Sequence, residues 1–400
     1  MELTAYQQDM LNGAFGRGKA MAMEIQVGIG KCFDAARLVP IRKAHVSLSA
    51  QEADVWFSGR LLEAGASCAI APTVNPGYSL DYFRNRLTPE AVANMENTHR
   101  IYQSLGARMT YSCTPYLADN VPEYGEITAF SETNATIYVN AVLGARTNRE
   151  SAASALCAAV TGFVPEYGML LDQNRRGTVA VEVEARLDTD FDYAVLGLCG
   201  KKIGSGVPVF LGLPEQISTE ALIALGAELN VSGSYDLYHI PGVTAECRRG
   251  MKPFGEGEPP RRVRLTSSDL EASLAAFSPD LSGAIHYCIL GCPHYTYRQL
   301  ETVDCLLSQA ASRVPVYILT SASVKKQAED SGLASRLLAA GADLIADTCV
   351  DEVCCWGHLV GKPGVTDSPK GAYYMETAGI RLAVRDVNTC IRWAQKGGVC

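Results

Sequence analysis

Short apolar segments alternate with helix-like stretches along this chain, most clearly in its last third. Apolar runs at 284–290, 314–319 and 343–346 are separated by a turn and helix at 291–310 and by a helical pattern at 324–339. Such alternation predicts parallel strands joined by crossover helices, because two parallel strands cannot be connected by a tight turn. The pattern therefore predicts an α/β fold built on parallel sheets.

The length and one irregular stretch predict how the chain is divided. At 400 residues it is too long for one ordinary hydrophobic core. Residues 248–262 are rich in glycine, proline and arginine, which is typical of a linker. We therefore expect an N-terminal α/β region at 1–247, with more than one subdomain, and a C-terminal α/β region at 263–400.

Charge and composition argue against several classes of protein. The formal net charge is −8, which disfavours a nucleic-acid binder. No run reaches the ~18 apolar residues of a membrane span, and the N-terminus lacks the apolar segment of a signal peptide. We expect a cytoplasmic protein, in which 14 cysteines indicate packing or metal binding rather than a disulfide framework.

Three of the cysteines follow predicted strands. These are Cys113, Cys292 and Cys349, and the carboxyl ends of parallel strands lie at one edge of a sheet, so the three thiols could meet in one cleft. Three thiolates can hold an iron–sulfur cluster or, with water, a zinc ion. The spacing alone is also compatible with three unrelated buried cysteines. It leaves open whether Cys288, Cys354 or Cys355 takes part.

A polar corner lies between a predicted strand at 135–143 and a predicted helix at 151–160. Free N–H groups at a helix start favour an anion, and an arginine side chain can donate two parallel hydrogen bonds to a carboxylate. The corner therefore predicts a binding site for a carboxylate or phosphate. Its side chains are Arg146, Thr147, Asn148, Arg149 and Glu150.

Several long motifs resemble the aconitase X family. They are NAVLGARTNRE with SETNA before it and AAVTGFVPEYG after it, YSCTPYL, GCPH, DTC, HIPGVTAE and SPKGAYY. The resemblance runs in order from Leu3 to about Ala394. It implies an aconitase-like fold of several three-layer α/β/α units with mainly parallel sheets around a central cleft.

The resemblance also implies an activity and a cofactor. Members of the family are hydro-lyases that bind an iron–sulfur cluster, and known substrates are cis-3-hydroxy-L-proline and mevalonate 5-phosphate. Carried over by motif, the cluster ligands would be Cys113, Cys292 and Cys349, with a 4Fe–4S, 3Fe–4S or 2Fe–2S form left open. We expect cis-3-hydroxy-L-proline as the substrate, with mevalonate 5-phosphate as the alternative. A zinc-dependent hydrolase and a non-catalytic cluster-bearing protein are alternatives of another class.

The family's active site is completed by a small swivel-type part. This chain ends at Cys400 without it, so we expect a separately encoded small subunit as partner. For the dehydration itself we expect Arg146 to Arg149 to hold the substrate carboxylate. Candidate acid–base residues are Glu132, Glu150 and His45. Further candidates for substrate binding are Ser47, Thr73, Asn75, His239 and Lys370, each of which could instead be a structural polar residue at a strand end.

Overall fold

The computed structural model describes residues 1–279 and 281–399. The first part of the chain, up to residue 173, forms a three-stranded parallel sheet of order β3–β2–β4 and an antiparallel pair β1–β5, both packed against helices. Its helices are α1 (Ala5–Leu11), α2 (Arg17–Cys32), α3 (Glu52–Glu63), α4 (Leu80–Phe83), α5 (Pro89–Leu105), α6 (Thr133–Tyr138) and α7 (Ala152–Thr161). Its strands are β1 (Leu38–Pro40), β2 (Lys43–Val46), β3 (Thr73–Val74), β4 (Thr128–Phe130) and β5 (Phe163–Pro165).

The middle part of the chain forms a second three-stranded parallel sheet, of order β7–β6–β8. Its strands are β6 (Val179–Val183), β7 (Pro208–Leu211) and β8 (Arg262–Leu265), and its helices are α8 (Asp190–Gly197), α9 (Gly200–Ile203), α10 (Thr219–Gly233), α11 (Ala245–Arg248) and α12 (Ser267–Phe277). The predicted boundary at 248–262 therefore does not separate two sheets. The stretch 248–262 ends at the start of β8, which pairs with β6, so the chain returns to the same sheet.

The last part of the chain forms a five-stranded parallel sheet, of order β11–β10–β9–β12–β13. Its strands are β9 (Tyr287–Tyr295), β10 (Val316–Thr320), β11 (Ala342–Ala346), β12 (Gly364–Thr366) and β13 (Leu382–Val384). Its helices are α13 (Tyr297–Leu307), α14 (Ala322–Asp330), α15 (Leu333–Ala339), α16 (Val353–Trp356), α17 (Pro369–Glu376) and α18 (Val387–Lys396).

Both faces of the five-stranded sheet are buried, as the predicted three-layer arrangement requires. Successive side chains of a strand point to opposite faces. In β9, Tyr287 and Ile289 belong to one hydrophobic cluster, while Cys288 and Leu290 belong to another. The near-continuous apolar runs in the sequence reflect this two-sided burial. The α/β fold with mainly parallel sheets is thus confirmed.

The segment predicted as a strand at 135–143 is helical. It continues α6 into a π-helical turn at Val139–Leu143, which ends at Gly144 with a φ of 72°. Its side chains from Ala135 to Ala141 are all buried, and several of them pack in one hydrophobic cluster with residues of α10. Burial on all sides gives no helical periodicity, so the β-branched residues of this run favoured a strand from sequence.

Among the residues that the structure describes, no helix combines the length and the apolar character needed to cross a membrane.

Candidate functional site

A cleft of about 290 Å³ lies between the carboxyl edges of two sheets. Segments that follow β2, β3 and β4 line one side, and β9 together with the segments after β11 and β12 lines the other. Ligands of parallel α/β sheets bind at such edges because loops there carry side chains away from the hydrogen-bonded core. The predicted residues that line the cleft are Ser47, Asn75, Cys113, Glu132, Cys292, Cys349 and Lys370.

The three predicted cysteines meet in this cleft, although they come from two sheets rather than from one edge. Cys113 follows a segment that runs beside β3, where Ser112 N donates to Val74 O at 3.1 Å. Cys292 lies within β9, and Cys349 follows β11. Cys113 was expected to follow a strand at 108–112, but this segment forms only an isolated bridge between Thr73 and Arg108.

Each cysteine is preceded by a residue with left-handed backbone. The φ angle is 45° at Tyr111, 97° at Gly291 and 61° at Asp347. Such angles in tyrosine and aspartate are uncommon and concentrate at functional sites. At position 291 only glycine fits, because a Cβ atom there would lie 2.1 Å from Leu319 O. These turns change the chain direction just before each thiol.

Hydrogen bonds connect the three cysteine segments to one another. His294 N donates to Cys113 Sγ at 3.2 Å, and the His294 ring donates from Nε2 to Thr348 O at 3.0 Å. Cys349 N donates to Gly77 O at 2.9 Å. The end of β9 that carries Cys292 is therefore bonded to both of the other segments, and the thiols are held in place before any cofactor arrives.

Burial raises the pKa of all three thiols. For Cys113 the pKa rises to about 12, and for Cys292 and Cys349 it also rises well above the ordinary value. The nearby Lys370 ammonium partly offsets this effect at Cys113 and Cys292. The thiols are therefore neutral at physiological pH unless a cationic group binds them, and such thiols could hold a metal cofactor.

A buried ion pair joins the two sides of the cleft. Lys370 Nζ donates to Glu132 Oε1 at 3.1 Å and to Thr133 Oγ1 at 3.2 Å, and both charged side chains are largely buried. Burial by itself raises the pKa of Glu132, but the charge and hydrogen bond of Lys370 bring the pKa below its ordinary value. Burial lowers the pKa of Lys370, but Glu132 above all raises it well above its ordinary value. Both groups therefore stay charged.

His45 and Thr73 lie beneath the cleft rather than in its wall. Both are fully buried, and His45 Nδ1 lies 2.8 Å from Thr73 Oγ1. Burial lowers the pKa of His45 to about 4, so its imidazole is neutral at physiological pH. Ser131, next to Glu132, bonds through its backbone N–H to His45 O at 3.0 Å. His45 thus supports the segment that carries Glu132.

The structure does not bring the predicted polar corner to the cleft. Arg146 pairs with Asp172 and donates to Leu170 O at 2.8 Å, and Arg149 pairs with Asp236 at 2.7 Å. The corner forms isolated parallel bridges with the β4 region, because 135–143 is a helix and the extended segment comes after it. Arg146 and Arg149 therefore hold neighbouring loops of this chain and do not face the three thiols.

Other predicted residues also lie outside the cleft, where each is bonded inside the protein. Thr147 Oγ1 accepts from Phe130 N at 3.0 Å, and Asn148 Nδ2 donates to Tyr167 O at 3.1 Å. Glu150 is buried away from the thiols, and burial raises its pKa. His239 donates from Nε2 to Arg175 O at 2.7 Å.

Several lining residues were not predicted from the sequence. Among them are Ser131, Asp351, Glu352 and Tyr374. A signal existed for Tyr374, which lies one helical turn after Lys370, with its ring centroid 5.9 Å from Lys370 Nζ. Burial raises the pKa of Glu352 to about 8. The two acidic residues follow Cys349 so closely that the DTC motif could have drawn attention to them.

Comparison with known proteins agrees with this geometry. Three models of the aconitase X family match the chain, the first domain at residues 1–173, the second at 177–275 and the third at 285–396. The crystal structure of Thermococcus kodakaraensis aconitase X in its holo-form has a TM-score of 0.90 to this chain at 33% identity, and the match covers 98% of this chain and 100% of that one.

Curated relatives are named as dehydratases. The phosphomevalonate dehydratase large subunit of Thermococcus kodakarensis is 35% identical over 405 residues, which is 98% of this chain and 100% of that protein. The cis-3-hydroxy-L-proline dehydratase of Pseudomonas aeruginosa is 32% identical over 387 residues, which is 93% of this chain and 66% of that protein. The chain therefore belongs to the aconitase X family and is a dehydratase, that is, a hydro-lyase.

Proposed function

We propose that this protein is the large subunit of an iron–sulfur dehydratase that acts on a small hydroxy acid, with cis-3-hydroxy-L-proline as its substrate. The observation that carries the proposal is the convergence of three cysteine thiols and a buried, charged Glu132–Lys370 pair in one cleft. Elimination of water from a hydroxy acid needs a base, a group that orients the substrate and an acceptor for the leaving hydroxyl, and this cleft offers a place for each.

The residues present fit an iron–sulfur cluster. Cys113, Cys292 and Cys349 are soft sulfur donors, and three such donors leave one iron of a cluster free for substrate. Among the described residues no group of three or more His, Cys, Asp or Glu side chains is arranged around a single metal ion. When bound, a cluster with an open iron supplies a Lewis acid for the departing hydroxyl.

The chain's own residues divide the remaining tasks. Glu132 is ionised because Lys370 lowers its pKa. Its carboxylate can therefore accept the proton from the carbon atom next to the substrate carboxylate. Lys370 keeps its charge and can bind the substrate carboxylate while it stays close to Glu132. Uncharged donors and acceptors around them can orient the substrate's remaining polar groups. These are Ser47, Ser49, Gln51, Asn75 and Ser131.

The charge of the cleft favours an amino acid over a phosphate ester. Among the described lining residues Lys370 is the one cationic side chain, and Glu132 neutralises it. Asp351 is a further acidic side chain of the lining, whereas Glu352, with a pKa of about 8, is mostly uncharged at neutral pH. A protonated ring nitrogen, as in hydroxyproline, is attracted to such a lining, and a phosphate dianion is repelled. Mevalonate 5-phosphate is the second candidate, because relatives that match this chain over its whole length are named phosphomevalonate dehydratase large subunits.

A small subunit is part of the proposal. The phosphomevalonate dehydratase relatives are named large subunits, and about a third of the Pseudomonas aeruginosa hydroxyproline dehydratase lies outside the region that this chain matches. The cleft opens at loops that such a partner can cover. A cationic side chain supplied by the small subunit would favour a phosphate ester over hydroxyproline. The assay must therefore contain the small subunit.

The test is an anaerobic assay of the protein purified together with a co-expressed small swivel-domain subunit. We expect iron and acid-labile sulfide in the purified protein, and loss of water from cis-3-hydroxy-L-proline but not from mevalonate 5-phosphate. Turnover of mevalonate 5-phosphate alone would establish the second candidate. Iron and sulfide without turnover of either compound would indicate a non-catalytic cluster protein, and zinc in place of iron would refute the cluster.

A further inference from the structure

Two further cavities lie in series beyond the cysteine cleft, and each shares lining residues with its neighbour. The inner cavity, of about 50 Å³, shares Cys292 and Pro293 with the cleft. The outer cavity, of about 310 Å³, shares Glu220, Tyr295 and Asp367 with the inner one. The inner cavity therefore lies between the outer cavity and the wall that carries Cys292. Residues of α8 and α10 border both cavities.

Two carboxyl oxygens beside the inner cavity lack hydrogen-bond partners. Glu228 is 2% exposed, and its Oε1 accepts from Lys370 N at 3.0 Å, but its Oε2 is buried and bonds to none of the described residues. Asp367 is similar. Its Oδ2 accepts from Tyr295 Oη, whereas its buried Oδ1 has no hydrogen-bond partner among the described residues. Buried carboxyl oxygens are rarely left unpaired because desolvation without a replacement bond is costly.

The inner cavity has the size and polarity that water requires. Its volume of about 50 Å³ exceeds the ~10–15 Å³ needed to hold one water molecule. Glu228, Asp367, Tyr295 and Gln299 all border it and can supply the two to four bonds that buried waters usually make. Burial also raises the pKa of Glu228 to about 8, so a protonated Glu228 can donate to water.

We propose that Glu228 and Asp367 bind ordered water in the inner cavity, and that this water forms an exit from the back of the cysteine cleft to the outer cavity. The inference rests on the dehydration proposed above, which releases one water molecule per turnover. A route behind Cys292 would let the released water leave even when substrate or a partner covers the front of the cleft. Neither Glu228 nor Asp367 needs to touch the substrate for this role.

Crystals of the cluster-containing protein test the water site directly. At a resolution where other buried waters are ordered, we expect density at about 2.6–3.2 Å from Glu228 Oε2 and a second contact to Asp367. Glu228→Gln should keep the water, because the amide still bonds to it, and Glu228→Leu should lose it. An inner cavity without density in the wild-type protein overturns the inference. This readout does not depend on turnover, so it fails separately from the proposed function.

A cavity-filling variant tests the exit route. Ala224 of α10 borders both cavities and lies outside the cleft. Ala224→Met should fill the connection and lower kcat about tenfold, with KM unchanged, because release of product then limits the rate. Ala224→Ser is the matched control, which leaves the space open and should keep the wild-type kcat. An Ala224→Met enzyme whose crystal shows a filled cavity and whose kcat is unchanged overturns the route.

Discussion

At the scale of the residue, the site depends on groups whose charge would be unfavourable without their partners. Lys370 and Glu132 are both largely buried, and each lies in the wall of the cleft with the other as its counter-ion. A buried ion pair is often worth little compared with an apolar replacement, whereas removal of one partner is strongly destabilising. The pair is therefore better explained by chemistry in the cleft than by its contribution to folding.

Substitutions in the Glu132–Lys370 pair should separate its effect on stability from its effect on activity. Lys370→Met should lower the free energy of unfolding by about 3–5 kcal/mol, because Glu132 is left buried without a counter-charge. The double variant Lys370→Met with Glu132→Gln should recover most of this loss yet remain inactive. Urea unfolding and the dehydratase assay measure the two effects. Equal destabilisation by the single and the double variant would contradict the assignment.

Single substitutions should distinguish the cysteines that bind the cluster from those that only pack in the core. Cys292→Ser should abolish iron binding, because a hydroxyl replaces a thiolate ligand, whereas Cys288→Ser should retain it. Cys288 is a matched control four positions earlier in β9, fully buried in the hydrophobic cluster on the opposite face from Tyr287 and Ile289. Iron content per chain after anaerobic purification is the measurement. Full iron content in Cys292→Ser would remove that cysteine from the ligand set.

At the scale of the element, β9 positions both a thiol and the sheet that carries it. The strand runs through Gly291, whose φ of 97° is in the left-handed region, and continues past Cys292 to Tyr295. Its pairing with β10 shifts register in this stretch, between Ile318 and Thr320. An irregularity of this kind redirects side chains at the edge of a sheet, as β-bulges do near active sites.

Substitution of Gly291 should lower the free energy of unfolding by more than its left-handed backbone conformation alone would explain. In Gly291→Ala the new Cβ would lie 2.1 Å from Leu319 O, so strand pairing must change. Gly361→Ala is the control, with a φ of 75° but no atom within 4 Å of the added Cβ. We expect about 1–2 kcal/mol of destabilisation in the control and several-fold more in Gly291→Ala, with loss of iron. Similar unfolding free energies for the two variants would refute the packing argument.

At the scale of the whole molecule, the cleft exists only where two sheets face each other. Glu132 follows β4 of the first sheet and Lys370 follows β12 of the last, so their ion pair holds two distant parts of the chain together. The buried His45, in the central strand β2 of the first sheet, makes this assembly sensitive to acid. Burial holds the pKa of His45 at about 4, whereas in an unfolded chain it is about 6.5.

The sign of this effect follows from proton binding. Between pH 6.5 and 4 the unfolded chain binds a proton at His45 that the folded protein does not, so stability falls as the pH falls. From pH 6.5 to 5 the loss at this site should be on the order of 2 kcal/mol. Urea unfolding of the cluster-free protein at several pH values measures it. His45→Gln should flatten the profile in this range, and an unchanged slope would contradict the neutral, buried imidazole.

The sequence by itself determined the α/β class and the aconitase X family, because strand–helix alternation and long motifs are local features, and it singled out three cysteines that line one cleft. Only the tertiary structure decided which charged residues join them. The Arg146–Arg149 corner has the right chemistry for an anion but faces Asp172 and Asp236, since the buried run before it is a helix. Lys370, 238 positions from Glu132, reaches the cleft because two sheets meet there. Pairing across such a separation is set by packing, which no local pattern encodes.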